Sequence, residues 1–149
     1  MGIDFGRLSV LVVEDQETML EINKACLEAL GFGEVHTALN GEEAFEIFCT
    51  KNPDIVMTDW TMKPIDGLEL TQLIRRDFRS PNRLVPIIML TGHSSISRVR
   101  EATKAGINDY IVKPYTVKDL ATRLGRLINF PKDFVESDEY VGPVRGDTC

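Results

Sequence analysis

The sequence is poor in the residues that would indicate a secreted, zinc-binding or membrane protein. Its three cysteines cannot all pair, and their spacing matches no zinc ligand set, so free thiols are expected. No segment approaches the roughly 18 apolar residues of a membrane-spanning helix. The amino terminus lacks the basic start of a signal peptide. These absences favour a cytoplasmic protein that does not insert into membranes.

Positive charge is also scarce. The chain has 17 lysines and arginines against 23 aspartates and glutamates, a net charge of −6. Because an acidic protein repels phosphate backbones, nucleic acid is not expected to be a direct partner, and protein partners are favoured. The 149 residues, 43% of them hydrophobic and 27% charged, suffice for one globular domain with a full core.

Four short apolar runs each end on residues that carry chemistry. The runs cover residues 8–13, 54–58, 86–90 and 110–112. The residues that follow these runs carry three carboxylates, a hydroxyl and an ammonium, namely Glu14, Asp15, Asp59, Thr91 and Lys113. Apolar runs bounded by turn formers are typical of buried parallel strands, whose carboxyl ends meet at one edge of a sheet. The five side chains are therefore predicted to lie together.

Helical patterns alternate with these runs and with a short strand predicted at 34–38. The helices are expected at 16–30, at 41–51 after an Asn40 cap, from 67, at 96–105 and at 116–128. Ile22 is assigned to the buried stripe of the first helix, and Phe78 to that of the third. This alternation predicts an α/β fold, a doubly wound five-stranded parallel sheet with helices on both faces.

The helical pattern ends near residue 130, which divides the chain into a domain (1–130) and an acidic C-terminal tail (131–149). The tail has two basic and five acidic residues with scattered apolar ones. It is expected to be either a mobile tail or an arm that docks on the domain or on a partner. Phe134 and Tyr140 are the candidate docking residues.

Three carboxylates at one edge of a sheet repel one another. At about 4 Å and an effective dielectric of about 20, each like-charged pair costs about 4 kcal/mol, so Glu14, Asp15 and Asp59 require a cation. Oxygen ligands without histidine or cysteine suit Mg²⁺, which together with Lys113 would balance the three negative charges. The Thr91 hydroxyl adds a donor for an oxyanion. The set favours phosphoryl transfer to a carboxylate.

These residues carry a family resemblance. The set Glu14-Asp15, Asp59, Thr91-Gly92 and Lys113-Pro114 resembles the receiver domain of bacterial two-component response regulators, most closely the single-domain chemotaxis type. The resemblance covers roughly residues 8–129 and includes the loop from Asp59 to Gly67 and the run 105–114. It implies a flavodoxin-like sheet with strand order 2-1-3-4-5.

The resemblance also implies a role for each residue of the set. Asp59 would take a phosphoryl group from a sensor histidine kinase or a phosphotransfer protein. Asp15, Asp59 and the backbone carbonyl of Thr61 would bind Mg²⁺, with Glu14 acting through a water. Thr91 and Lys113 would hold phosphoryl oxygens, and the Lys113–Pro114 bond would be cis. The chain would catalyse only its own phosphorylation and dephosphorylation.

The implied output is a change in protein contacts. Tyr110 would be an aromatic switch that turns inward when Thr91 moves, and residues 96–128 would form a signalling face for a downstream protein target. Thr61 and His93, each two residues beyond a site residue, are a hypothetical control on water access to the phosphoryl group. The loop departs from the family pattern at Met62-Lys63-Pro64, where proline comes one place late.

Other interpretations remain open. Taken singly, Asp15 could be a helix cap, Thr91 a turn residue and Tyr110 a core aromatic. The chain could be a receiver cut from a DNA-binding transcription factor, although the stretch after residue 130 is short for such a domain. It could also be an interaction module that works without phosphorylation. An aspartyl phosphatase would place an acid at Thr61, and a flavin protein would need a phosphate-binding loop in place of the first two acids.

Overall fold

The computed structural model describes residues 4–92 and 96–144, apart from the side chain of Ile96. Within these residues the main strands are β1 (Ser9–Val13), β2 (Glu34–Ala38), β3 (Ile55–Asp59), β4 (Ile87–Thr91) and β5 (Asp109–Val112). The helices between and after them are α1 (Glu17–Ala29), α2 (Gly41–Lys51), α3 (Gly67–Arg76), α4 (Ile96–Ala105) and α5 (Val117–Asn129). A 3₁₀ helix (Phe5–Arg7) precedes β1, and two short strands, β6 (Phe134–Glu136) and β7 (Val141–Pro143), follow α5.

The five main strands form one parallel sheet in the order β2-β1-β3-β4-β5. Both β3 and β4 are buried along their whole length. One core lies between the sheet and α1 and α5, and a second lies between the opposite face and α2, α3 and α4. The doubly wound fold and the strand order 2-1-3-4-5 are therefore confirmed.

Polar side chains determine where three of the helices begin. The Asn40 side chain accepts a hydrogen bond from the Glu43 amide at the start of α2. Capping boxes begin the other two helices, Asp66 with Glu69 for α3 and Thr116 with Asp119 for α5. Each cap satisfies backbone N–H groups that have no partner inside the helix, so these helices begin where the sequence predicts.

Two residues predicted to be buried, Ile22 and Phe78, are exposed. A polar residue, Asn23, is buried on α1 in place of Ile22. Ile22 is 49% exposed, whereas Asn23 is fully buried on the face of α1 that carries Leu20 and Leu27. The 3-and-4 spacing of a helix selects Asn23, whose side-chain oxygen accepts a hydrogen bond from the Tyr115 hydroxyl. Phe78 is 87% exposed because α3 ends at Arg76, before it.

The segment after α5 lies against the domain as an antiparallel hairpin of β6 and β7. The Phe134 ring lies over the Arg75 guanidinium at 5.0 Å, and the Tyr140 hydroxyl donates to the Pro143 carbonyl. In the described part of the segment, the docked arm is the alternative that the structure supports, with Phe134 as a docking residue. The division of the chain at residue 130 stays a prediction.

The lengths and compositions of the helices bear on membrane insertion. Among the residues described, no helix is both long and apolar enough to cross a lipid bilayer.

Candidate functional site

Three acidic side chains meet at the carboxyl edge of the sheet. Glu14 and Asp15 directly follow β1, and Asp59 is the last residue of β3, the strand paired with β1. One carboxylate oxygen from each residue lies within 4.8 Å of the others. Glu14 and Asp59 are buried, whereas Asp15 is exposed. The cluster predicted from the strand ends is present and opens to solvent on the side of Asp15.

Lys113 brings a positive charge into this cluster. Its ammonium nitrogen lies 2.5 Å from Asp59 Oδ1 and 3.5 Å from Glu14 Oε1. Its backbone amide donates to the Thr91 carbonyl at 2.8 Å, which ties the end of β5 to the end of β4. The Lys113–Pro114 bond is cis, as expected from the resemblance, and Lys63–Pro64 is cis as well.

Thr91 lies next to the acidic cluster, as the order of the strands in the sheet requires. Asp59 is paired with Leu90 across β3 and β4, so Thr91 is the residue one step beyond that pair. It is 4% exposed. The strand register therefore places a buried hydroxyl residue between the strand that ends on Asp59 and the loop that carries Lys113.

Burial and the repulsion of neighbouring carboxylates raise the pKa values of Glu14 and Asp59. Burial is the largest cause that raises the pKa of Glu14, the charge of Asp59 raises it further, and Lys113 opposes both. Burial likewise raises the pKa of Asp59 by more than the hydrogen bond and attraction of Lys113 lower it. Burial alone would lower the pKa of Lys113, but its contacts with Asp59 and Glu14 outweigh burial and raise it.

The donor set fits a hard divalent cation. When ionised, the acids Glu14, Asp15 and Asp59 carry three negative charges against the single positive charge of Lys113. The ligand atoms that these acids offer are carboxylate oxygens, which Mg²⁺ prefers over softer metals. A dication at the solvent-open side would remove the excess negative charge that burial makes costly.

Gly67 allows α3 to begin directly against the backbone of the acidic strand. Its amide donates to the Trp60 carbonyl at 2.8 Å. A Cβ atom at this position would lie 2.3 Å from the Asp59 carbonyl oxygen and 2.9 Å from Met89 Sδ. No side chain fits in that space without moving the Asp59 backbone. The close approach explains in physical terms why glycine follows Asp66 at the end of this loop.

Replacing Gly67 with alanine is expected to disturb the site through the backbone. The added methyl group must displace the Asp59 carbonyl or the start of α3, which we expect to cost about 2 kcal/mol of unfolding free energy, as overpacking of a core does. Gly92→Ala is the matched control, because nothing lies within 4 Å of a Cβ atom there. Urea unfolding of the two variants measures the difference; equal stability would contradict this account of Gly67.

Other predicted residues lie outside the acidic cluster. Thr61 is exposed in the loop after β3, and His93 lies outside the described residues. Tyr110 is half-buried, packs against the core on the α2–α4 side and has the Arg123 guanidinium 5.9 Å from its ring. The metal, catalytic and switch roles assigned to these positions stay predictions.

Sequence reasoning missed one contact beside the site. The guanidinium of Arg98, on α4, lies 4.8 Å from the ring centre of Trp60, the residue after Asp59. The sequence contains an exposed-looking arginine on a polar helix, and no local pattern indicates that it stacks on a distant tryptophan. Only the packing of α4 beside the loop after β3 brings the two together.

The fold and the edge cluster together define a class of protein. A family model for the response regulator receiver domain matches residues 10–125, and the chain belongs to this family. Chemotaxis protein CheY1 of Helicobacter pylori is 39% identical over 118 residues, which cover 78% of this chain and 94% of that protein. The CheY homologue of Campylobacter jejuni is 40% identical over 119 residues, covering 78% and 89%. The chain is therefore a receiver domain similar to chemotaxis response regulators.

Solved structures agree with this assignment. Chemotaxis protein CheY4 of Vibrio cholerae superposes with a TM-score of 0.74 at 28% identity, covering 80% of this chain and 97% of that one. The receiver domain of a Pseudomonas aeruginosa sensor histidine kinase, solved with a magnesium ion in its active-site cleft, gives a TM-score of 0.73 at 30% identity, covering 82% and 98%. The β6–β7 hairpin follows the segment that the family model matches.

Proposed function

We propose that this receiver accepts a phosphoryl group on Asp59 from the phosphohistidine of a sensor histidine kinase or a phosphotransfer protein. The observation that carries the proposal is the Lys113 ammonium, held 2.5 Å from the Asp59 carboxylate inside a cluster of three acids. A structural salt bridge would not require two further acids at the same edge. A nucleophile that receives a dianionic group requires nearby positive charge.

The reaction forms one bond and breaks one. An oxygen of Asp59 attacks phosphorus, the bond between phosphorus and the donor imidazole nitrogen breaks, and that nitrogen keeps the electron pair. Lys113 then moves its hydrogen bond from the carboxylate to a phosphoryl oxygen. Thr91, buried at the end of the neighbouring strand, supplies a hydroxyl donor to another oxygen. Hydrolysis of the acyl phosphate by water returns the chain to its starting state.

The acids would hold Mg²⁺ during this reaction. Asp15 and Asp59 would bind it directly with the Thr61 carbonyl, and Glu14 would act through a water. The magnesium in the cleft of the related histidine-kinase receiver domain supports this assignment. When bound, the ion supplies positive charge that offsets the carboxylates and the incoming phosphoryl oxygens.

The expected output is a shift between two arrangements of the same domain. Movement of Thr91 toward the phosphoryl group would open space for Tyr110, and residues 96–128 would present a changed face to a downstream protein target. The chain would turn over no other substrate. We infer that the phosphorylated receiver signals by binding a protein rather than nucleic acid, which the net charge of −6 supports.

Trp60 provides a direct test, because this buried residue adjoins Asp59 in the chain. Its fluorescence emission should change during titration with Mg²⁺ and reach a plateau when the site is saturated. The emission should change again when acetyl phosphate is added. Mass spectrometry should then find one phosphoryl group in a hydroxylamine-sensitive linkage. Emission that responds to neither reagent, without any phosphoprotein, would favour a phosphorylation-independent interaction module.

Mg²⁺ is expected to stabilise the fold through the acid cluster. At ten times its dissociation constant, a ligand that binds only the folded chain adds about 1.4 kcal/mol to the free energy of unfolding. Asp15→Asn removes an exposed ligand and should need a several-fold higher Mg²⁺ concentration for the same gain. Asp133→Asn, an exposed acid after α5, should behave as the parent chain does. Thermal unfolding across a Mg²⁺ series measures this; identical responses of both variants would exclude Asp15 as a ligand.

A further inference from the structure

A fully buried arginine joins three segments at the edge of the sheet opposite the acidic cluster. The Arg75 Nε donates to the Gly106 carbonyl at 3.0 Å. Its Nη1 donates to the carbonyls of Arg83 and Val85 at 2.6 and 2.7 Å, and Nη2 donates to Asn108 Oδ1 at 2.9 Å. Arg75 thereby ties the end of α3 to the segment before β4 and to the turn between α4 and β5.

Neutral groups alone accept these hydrogen bonds. Among residues 4–92 and 96–144, no carboxylate forms an ion pair with Arg75. Burial lowers the pKa of Arg75 to about 10, an effect that Tyr140 partly opposes. Burying a cation costs free energy because the cation loses its hydration, and no carboxylate offsets that cost here. The stability of the buried arrangement therefore depends on the groups that enclose the guanidinium and keep its hydrogen bonds in place.

The C-terminal hairpin is the element that encloses it. The Phe134 ring of β6 covers the Arg75 guanidinium at 5.0 Å. All three residues of β7 are buried. The neighbouring Arg76 donates from Nη1 to the Asp138 carbonyl in the hairpin turn at 3.2 Å. The end of α3 thus contacts the hairpin at two places, at β6 through Arg75 and at the turn through Arg76.

The backbone of β7 rests on the α4–β5 turn. A Cβ atom on Gly106 would lie 2.6 Å from the Val141 carbonyl oxygen, and one on Gly142 would lie 2.9 Å from the Gly106 Cα. Gly106 also has a φ of +111°, which favours glycine. The two glycines allow the hairpin and the turn to touch backbone to backbone.

The helix that enters this turn also contacts the residue beside the phosphoacceptor. Gly106 directly follows the last residue of α4, and Arg98 near the other end of α4 stacks on Trp60 at 4.8 Å. α4 therefore lies between the acidic edge and the hairpin. If α4 moves when the site changes, the end of α4 next to Gly106 must either press against the hairpin or stay in place while the rest of the helix rotates about it.

We propose that the β6–β7 hairpin is an intramolecular clasp that holds the α4–β5 turn and thereby opposes the rearrangement that follows phosphorylation of Asp59. This regulatory role rests on the proposed function. Contacts that favour one arrangement of a two-state domain disfavour the other by the same free energy. Loosening the clasp therefore eases phosphorylation, and phosphorylation in turn loosens the clasp.

Two substitutions loosen the clasp and one provides a control. Phe134→Ala uncovers Arg75, and Gly142→Ala forces β7 away from Gly106, whereas Val135→Ala changes an exposed residue on the same strand as Phe134. Without any phosphodonor, amide hydrogen exchange at residues 106–110 should become about tenfold faster in the first two variants, as expected for loss of local protection. The control should exchange as the parent chain does.

The regulatory step is measured with acetyl phosphate and Mg²⁺, followed by Trp60 emission. Both clasp variants should be phosphorylated roughly fivefold faster than the parent and the control, at the lower end of ordinary allosteric couplings. If hydrogen exchange becomes faster but the phosphorylation rate does not change, the hairpin is only a structural attachment and the proposal is overturned. Slower phosphorylation of the clasp variants, or an unchanged exchange rate, would overturn it as well. A parent chain that takes up no phosphoryl group would overturn the proposed function itself, whatever the exchange shows.

Discussion

Asp59→Asn will abolish phosphorylation of this chain by acetyl phosphate and by any phosphohistidine donor. The amide is close to the carboxylate in shape, but it lacks the negative charge and the nucleophilic oxygen that attacks phosphorus. We expect a loss of at least about 10³-fold, the scale on which removing a catalytic nucleophile acts. Mass spectrometry after incubation with donor and Mg²⁺ measures the remaining phosphoprotein.

The same variant should keep its fold, which separates lost chemistry from lost structure. Lys113 retains Glu14 as a partner at 3.5 Å, and one member of a repelling acid cluster becomes neutral. Urea unfolding in metal-free buffer should therefore show a free energy at least equal to that of the parent. A phosphoryl group on the folded variant would place the acceptor on another residue, with Glu14 and Asp15 as the nearest candidates.

Lys113→Met will damage both the stability and the chemistry of the site. Two buried acids, Glu14 and Asp59, lose the cation that contacts them, and breaking a buried ion pair by removing one partner costs about 3 kcal/mol. Phosphorylation should slow by about 10²-fold, because a donor to the developing phosphoryl charge is missing. Lys118→Met, on the exposed surface of α5, is the control for the same change of charge and should show neither effect.

The stability loss in Lys113→Met should shrink as the pH falls. Glu14 and Asp59 already have raised pKa values in the folded chain, chiefly through burial, and removing Lys113 raises both further. The folded state therefore binds protons that the unfolded state releases, so lowering the pH favours folding of the variant over that of the parent. Unfolding free energies at about pH 7 and about pH 5 measure the trend. A deficit that stays constant over this range would mean that the loss does not come from ionised Glu14 and Asp59.

The sequence by itself determined the sheet and the chemical identity of its edge. Buried parallel strands need continuous apolar runs, and the runs ending at Glu14, Asp59, Thr91 and Lys113 can be recognised without coordinates. The parallel arrangement then brings those ends together, so their proximity followed from the pattern. The strand order came from the family resemblance, because alternation alone permits more than one order.

Only the tertiary structure decided which partner a buried polar side chain finds and what the C-terminal segment does. The helical spacing places Asn23 on the inner face of α1 and Ile22 outside it, but the hydroxyl that donates to Asn23 comes from Tyr115, far away in the chain. The hairpin consists of two three-residue strands, which are too short to show a period. Its Phe134 ring packs over Arg75, and no local pattern in α3 indicates that this charged residue is fully buried. Local sequence patterns indicate which face of a segment is buried. They do not indicate which distant segment packs against that face, and the contacts of Asn23 and of the hairpin depend on this.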